Sequence, residues 1–140
     1  MKIITLTMNA GLDSAAGVKR VMPDDKLRCK SPRVEPGGGG INVSRAIKRL
    51  GGESVAIYPQ GGCNGEELHN LLKMEDVESD PVPVEQANRI NQTFSESESE
   101  RQFRFVFPGP HLKEQEWPAR PEKIKAYQDE DIILVASGSL

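Results

Sequence analysis

Val43, Ala46, Ile47 and Leu50 recur at i, i+3, i+4 and i+7, which predicts one buried face of an amphipathic helix over 43–50. Asn42 stands where an N-cap is expected, and Gly51 stands where a C′ glycine stops a helix. The run Gly37-Gly38-Gly39-Gly40 feeds straight into that helix. Consecutive glycines lose much backbone freedom on folding, so the run makes sense where a ligand lies against bare backbone. Open amides at a helix N-terminus suit an anionic or polyhydroxy ligand. The competing reading is a flexible linker, but linkers rarely run directly into a capped helix.

The rest of the pattern alternates between strands and helices. Residues 2–8 are rich in β-branched side chains and predict a strand, with Asn9 and Gly11 as turn residues after it. Segment 17–36 holds short extended patches broken by Pro23, Asp24, Asp25 and Pro32, and Val18 to Met22 with Lys26 to Val34 predict a hairpin. Ser54 to Pro59 predicts a buried strand ended by Gly61-Gly62. Asn64 and Glu67 then read as a capping box for a second helix with Leu68, Leu71 and Leu72 as its apolar stripe. Segment 78–84 is polar and contains proline, and reads as a connection. Asn88 to Ser95 and Gln102 to Phe107 predict two extended arms, joined by an acidic tip over 96–100 that is expected to be solvated and to bind nothing. Pro108-Gly109-Pro110 breaks the chain, Pro121 to Tyr127 predicts a helix, and Asp131 to Ala136 predicts a parallel strand buried on both faces.

This order favours an α/β domain with a parallel sheet. The β-rich segments 17–36 and 82–107 do not fit a simple doubly wound fold and are expected to pair as a separate small sheet. A buried parallel strand needs a neighbour on each side, so a final strand running into Ser137-Gly138-Ser139-Leu140 reads as the first half of a larger protein, with an incomplete sheet edge.

Composition narrows the class further. A chain of 140 residues is one domain by length, and its net charge of −3 argues against nucleic acid as a partner. Cys29 and Cys63 have no metal-ligand spacing, which points to a reduced, cytoplasmic chain. The apolar run at the N-terminus is too short for a signal peptide or a membrane span. His69 and His111 lack metal spacing, and His69 and Cys63 read as structural. Neither G-x-G-x-x-G nor a Walker-type P-loop occurs. Trp117 has no evident role.

Lys26-Leu27-Arg28-Cys29 together with Pro36-Gly37-Gly38-Gly39-Gly40-Ile41-Asn42-Val43-Ser44-Arg45-Ala46 resembles the PfkB branch of the ribokinase superfamily, and within it the minor, PfkB-type 6-phosphofructokinases. Thr5-Leu6-Thr7 with Leu12-Asp13, Pro59-Gln60-Gly61-Gly62 with Gly65, Gln102 to Gly109 and Ser137 to Leu140 agree in order. The resemblance implies a ribokinase-like parallel sheet flanked by helices, with a small β lid that pairs two copies into a homodimer. It also implies glycolytic phosphoryl transfer from ATP, with Mg²⁺, to fructose 6-phosphate. Sister specificities are 1-phosphofructokinase and tagatose-6-phosphate kinase. The Gly-Ala-Gly-Asp catalytic motif of the family is absent from this sequence, so this chain alone is expected to be inactive, and a truncated phosphosugar-binding or dimerisation module is the remaining alternative.

The resemblance also implies roles for individual residues. Asp13 would accept hydrogen bonds from sugar hydroxyls. Gly38 and Gly39 would let backbone amides approach the sugar, and Asn42 would contact a hydroxyl as well as cap its helix. Arg28, Arg89 and Arg104 would take the substrate phosphate, a task suited to the planar guanidinium. Arg104 alternates with Phe103 and Phe105, so it is expected to face away from them. Lys26 would reach the nucleotide phosphates, and Ser137 and Ser139 would line the sugar site.

Overall fold

The computed structural model describes residues 2–118, 121–127 and 131–138. Four strands, β1 (Lys2–Thr7), β4 (Ser54–Gln60), β5 (Ser79–Pro83) and β8 (Ile132–Ser137), form a parallel sheet in the order β5-β4-β1-β8. Four others, β2 (Gly11–Val18), β3 (Lys30–Gly37), β6 (Arg89–Glu96) and β7 (Gln102–Phe105), form a second sheet in the order β3-β2-β6-β7. Its outer pairs are antiparallel and its central pair, β2 with β6, is parallel. Among the described residues three α-helices, α1 (Gly39–Arg49), α2 (Gly62–Met74) and the short α3 (Pro121–Lys125), and one 3-10 turn, Glu114–Glu116, complete the fold. Among the described residues no helix is long and apolar enough to cross a membrane.

The core follows from strand alternation. In β4, Ala56 and Tyr58 point to one side, where Ile41, Leu68, Leu72 and Val77 meet them. Ile57 points to the other side and packs with Ile4 and Leu6. Leu68 and Leu72 are fully buried, which stabilises the fold by about 1.5–3 kcal/mol each. They belong to the stripe read from the sequence. The cap of α2 differs: it starts at Gly62 with Gly61 as N-cap and without a side-chain cap bond, so Asn64 and Glu67 form no capping box.

Helix α1 departs most from the pattern. It begins at Gly39, inside the glycine run, with Gly38 as N-cap, so Asn42 lies within the helix and is exposed. Two side chains from strand ends cap it instead. Thr7 Oγ1 accepts the Ile41 N–H at 3.0 Å, and Ser137 Oγ accepts the Gly40 N–H at 2.6 Å. These bonds turn Gly40, Ile41, Ser44 and Arg45 inward. Val43 and Ile47 are then only half-buried, and Leu50 is 88% exposed. Beneath the helix the inward Ser44 hydroxyl lies 2.7 Å from Thr5 Oγ1 and accepts from Ser54 Oγ at 2.9 Å, so this contact is polar where an apolar stripe was expected.

Arg45 is the other inward polar residue. Its guanidinium takes Glu75, at the end of α2, through Nε and Nη2 at 2.7 Å each, and its Nη1 donates to the Pro36 carbonyl at 3.1 Å. The arginine is 8% exposed. Bonding to Arg45 holds the Glu75 carboxyl below its ordinary value and raises that of Arg45.

Four further expectations change. Segment 78–84 is not a loop: it contributes β5, an edge strand that tolerates Pro81 and Pro83 because only one side is paired. The first hairpin is formed by β2 and β3, and residues 19–29 are the connection, so Val18 to Met22 is not a strand arm. Strand β8 is parallel but lies at the sheet edge, with Ile133 and Leu134 each 43% exposed, so it is not buried on both faces. Within the acidic tip Glu96 is buried and accepts the Val21 N–H at 2.6 Å and the Ser99 hydroxyl, which lowers its pKa.

Two stability predictions follow from these bonds. Thr7→Val keeps the shape but leaves the Ile41 N–H unpaired, and is expected to cost about 1–2 kcal/mol in urea unfolding. Glu75→Gln is expected to destabilise the chain at pH 7. Because Glu75 has a lowered folded pKa, its contribution is present above the ordinary value of 4.5 and is lost as pH falls through the lowered one. The gap between wild type and variant should therefore narrow in acid-unfolding curves below pH 4.5.

Candidate functional site

The glycine run packs against the C-terminal ends of two strands. Gly38 has φ of 124°, and a Cβ there would sit 2.6 Å from Thr7 Cγ2, so both conformation and space demand glycine. Gly39 lies against Ser137, and a Cβ on Gly37 would meet Asp13 Oδ2 at 2.5 Å. The bare backbone is therefore used first by the protein's own strand ends. The amides of Gly40 and Ile41 are already taken by hydroxyls, so the helix N-terminus is less open than the sequence pattern implied.

The second sheet supplies the charged part. Its strand registers set up rows of side chains on one face. Gly37, Gly11 and Arg89 form the first row, Glu35, Asp13 and Asn91 the second, and Arg33, Ala15, Thr93 and Arg104 the third. Asp13 Oδ1 accepts from Asn91 Nδ2 at 3.1 Å. Asp13 and Glu35 face each other directly, a like-charge pair that is unfavourable by itself. The Arg45 guanidinium, 3.8 Å from Glu35, offsets it.

Arg89 and Arg104 bracket the Asp13 row. Arg89 donates to the carbonyls of Phe107 at 3.2 Å and Asn9 at 3.3 Å, and its buried Nε has no hydrogen-bond partner among the described residues. Arg104 is exposed and donates to Gln102 at 3.2 Å. Among the described residues neither arginine forms an ion pair, so both cations are available to an anion. Beside Arg89 a largely apolar cavity of about 750 Å³ opens, lined in part by Met8, Phe107, His111 and Trp117. The Trp117 indole donates to the Leu112 carbonyl at 3.3 Å.

The structure thus gathers Asp13, Gly38, Gly39, Arg89, Arg104 and Ser137 around the strand ends and the adjoining face. Arg28 and Lys26 lie in the exposed connection 19–29 and make no hydrogen bond or ion pair among the described residues. Asn42 is exposed one turn into α1. Ser139 lies outside the described residues. Among the described residues no cluster of histidine, cysteine, aspartate or glutamate could hold a metal ion. Cys63 is exposed. His69 Nδ1 lies 3.0 Å from the Tyr58 hydroxyl, whose pKa burial pushes up to about 12.

Three participants, Asn91, Thr7 and Arg45, were given no role by the sequence reading. Asn91 stands two residues from Arg89 in a strand, and that spacing alone places both on one face. Thr7 and Arg45 carry no comparable signal, because their partners lie far away in sequence.

Residues 7–140 match the pfkB family carbohydrate kinase. The chain is 44% identical over 140 residues to the ATP-dependent 6-phosphofructokinase isozyme 2 of Escherichia coli, covering 100% of this chain and 45% of that protein. It is 42% identical over 139 residues to the isozyme 2 of Mycobacterium tuberculosis, covering 99% of this chain and 41% of that protein. Phosphofructokinase-2 from Escherichia coli in complex with fructose-6-phosphate has a similar structure, with a TM-score of 0.82 at 36% identity, covering 99% of this chain and 55% of that one. The chain therefore spans about half the length or less of the curated relatives it matches. With the glycine loop, the parallel sheet and the family match in agreement, the chain belongs to the pfkB family of carbohydrate kinases.

Proposed function

We propose that this chain supplies the sugar-phosphate site of an ATP-dependent 6-phosphofructokinase, with fructose 6-phosphate as the substrate. The observation that carries the reading is the charged face of the second sheet, where Arg89 and Arg104 bracket Asp13 and Asn91 without acidic partners of their own among the described residues. A phosphate suits the guanidinium groups, which offer paired donors. Sugar hydroxyls suit the Asp13 carboxylate, which accepts hydrogen bonds through two oxygens. The glycine loop and Ser137 border this region from the parallel sheet. The names of the relatives, which include 1-phosphofructokinase and D-tagatose-1-phosphate kinase as well as 6-phosphofructokinase, support a sugar-phosphate substrate more broadly than fructose 6-phosphate itself. ATP and Mg²⁺ belong to this reading through the family. On this reading the chain contributes the phosphosugar-binding part of such a kinase.

The opposite face of the second sheet supports pairing with a second copy. Val34, Ser14, Gln92 and Phe105 form one row there, and Val34 and Phe105 are 44% and 48% exposed. Phe94 and Phe105 meet edge to face at 6.1 Å. Exposed apolar groups on the face away from the polar site fit a lid-to-lid homodimer.

Arg104→Ala is expected to weaken fructose 6-phosphate binding about tenfold or more by calorimetric titration. An unchanged affinity would take Arg104 out of the site. Phe105→Glu is expected to convert a dimer to a monomer in sedimentation experiments, and a dimer that persists would place the interface elsewhere.

A further inference from the structure

Three of the crossings between the two sheets, at Ala10, Pro36 and Asn88, are each held by a buried polar side chain. Arg45 holds the Pro36 carbonyl. Asn88 holds the other two. It is 2% exposed, and every hydrogen-bonding group it has is used. Its side-chain oxygen accepts the Gly61 N–H at 2.7 Å. Its amide nitrogen donates to the carbonyls of Ala10 at 3.1 Å and Pro59 at 2.8 Å. The backbone N–H donates to Gly61 at 3.0 Å, and the backbone carbonyl accepts from Asn64 Nδ2 at 2.6 Å.

These partners are the entry to β2, the end of β4 and the start of α2. The next residues along, Gly11 and Arg89, are register partners, so one amide fixes both central strands of the second sheet where they leave the first. Arg89 needs such support. Its own bonds are long ones to two carbonyls, its Nε is unpaired, and no acidic group holds it among the described residues. Asn88 reaches Arg89 from two sides: it is the preceding residue, and it holds the Ala10 carbonyl, next to the Asn9 carbonyl that accepts from the guanidinium.

We propose that Asn88 is a positioning residue of the sugar-phosphate site: it pins the second sheet to the first and thereby sets the place of Arg89. The statement about Arg89 rests on the phosphate-binding reading above. The statement about the pin does not.

Both parts are tested on the full chain with Asn88→Ser, Arg89→Ala and the double variant. Amide hydrogen exchange needs no ligand. Protection in β2 and β6 is expected to fall about tenfold more than protection at Thr5 and Ile57 in the first sheet. Equal loss in both sheets, or no loss, would overturn the pin. In calorimetric titrations with fructose 6-phosphate, Asn88→Ser is expected to weaken binding about tenfold in the wild-type background and scarcely at all in the Arg89→Ala background. Additive losses would mean that Asn88 does not act through Arg89. A wild-type chain that binds no fructose 6-phosphate would sink the phosphate reading, and the exchange result alone would then judge the pin. If Asn88→Ser does not fold, Asn64→Ala removes only the bond to the Asn88 carbonyl, with the same expectations at about threefold.

Discussion

Two hydroxyls hold the start of α1, and much of the site depends on them. Thr7 and Ser137 sit at the ends of neighbouring parallel strands and accept the Ile41 and Gly40 amides. A helix N-terminus leaves several amides without partners, and an unpaired buried amide is costly. By meeting that demand from the strands, the fold sets where the helix begins and how it is rotated. The rotation brings Arg45 inward, and Arg45 in turn holds Glu75 and the Pro36 carbonyl. The glycine run can then approach the strand ends at distances no side chain allows, with Asp13 against Gly37.

The same geometry explains what was legible in the sequence. Apolar strands such as Ser54–Gln60 and the Leu68–Leu72 stripe were readable because burial alone decides them. Helix α1 was readable as a helix but not in phase. Its inward face is Gly40, Ile41, Ser44 and Arg45, and hydrophobic periodicity cannot see a face made of small and polar groups. Strand β2, with the sequence Gly-Leu-Asp-Ser-Ala-Ala-Gly-Val, was hidden for a related reason: its small residues carry little strand preference, and pairing on both sides supplies what they lack. Strand β5 was hidden by its prolines, which an edge position tolerates.

The site itself was legible in part. Alternation, which is visible in a sequence, puts Arg89 on the face of Asn91 and Thr93, and Arg104 joins that face through its register with Thr93. The groups that give the face its chemistry are contributed by register between distant segments: Asn91 beside Asp13, and Glu35 opposite Asp13 under the field of Arg45. The second sheet thus separates its tasks by face, charged toward the strand ends and apolar at Val34 and Phe105 on the other side. Two polar side chains, Arg45 and Asn88, tie it to the helices and to the parallel sheet, beside the apolar cluster that Leu12 and Ile90 share with Tyr58 and Leu68.

The most direct measurement is a calorimetric titration of the folded wild-type chain with fructose 6-phosphate, with fructose as the control. Saturable binding that requires the phosphate is the predicted result, since the cations at Arg89 and Arg104 have no acidic partner among the described residues. Absence of binding in a sample shown to be folded, or equal binding of fructose, would contradict the assignment of this chain as a sugar-phosphate site.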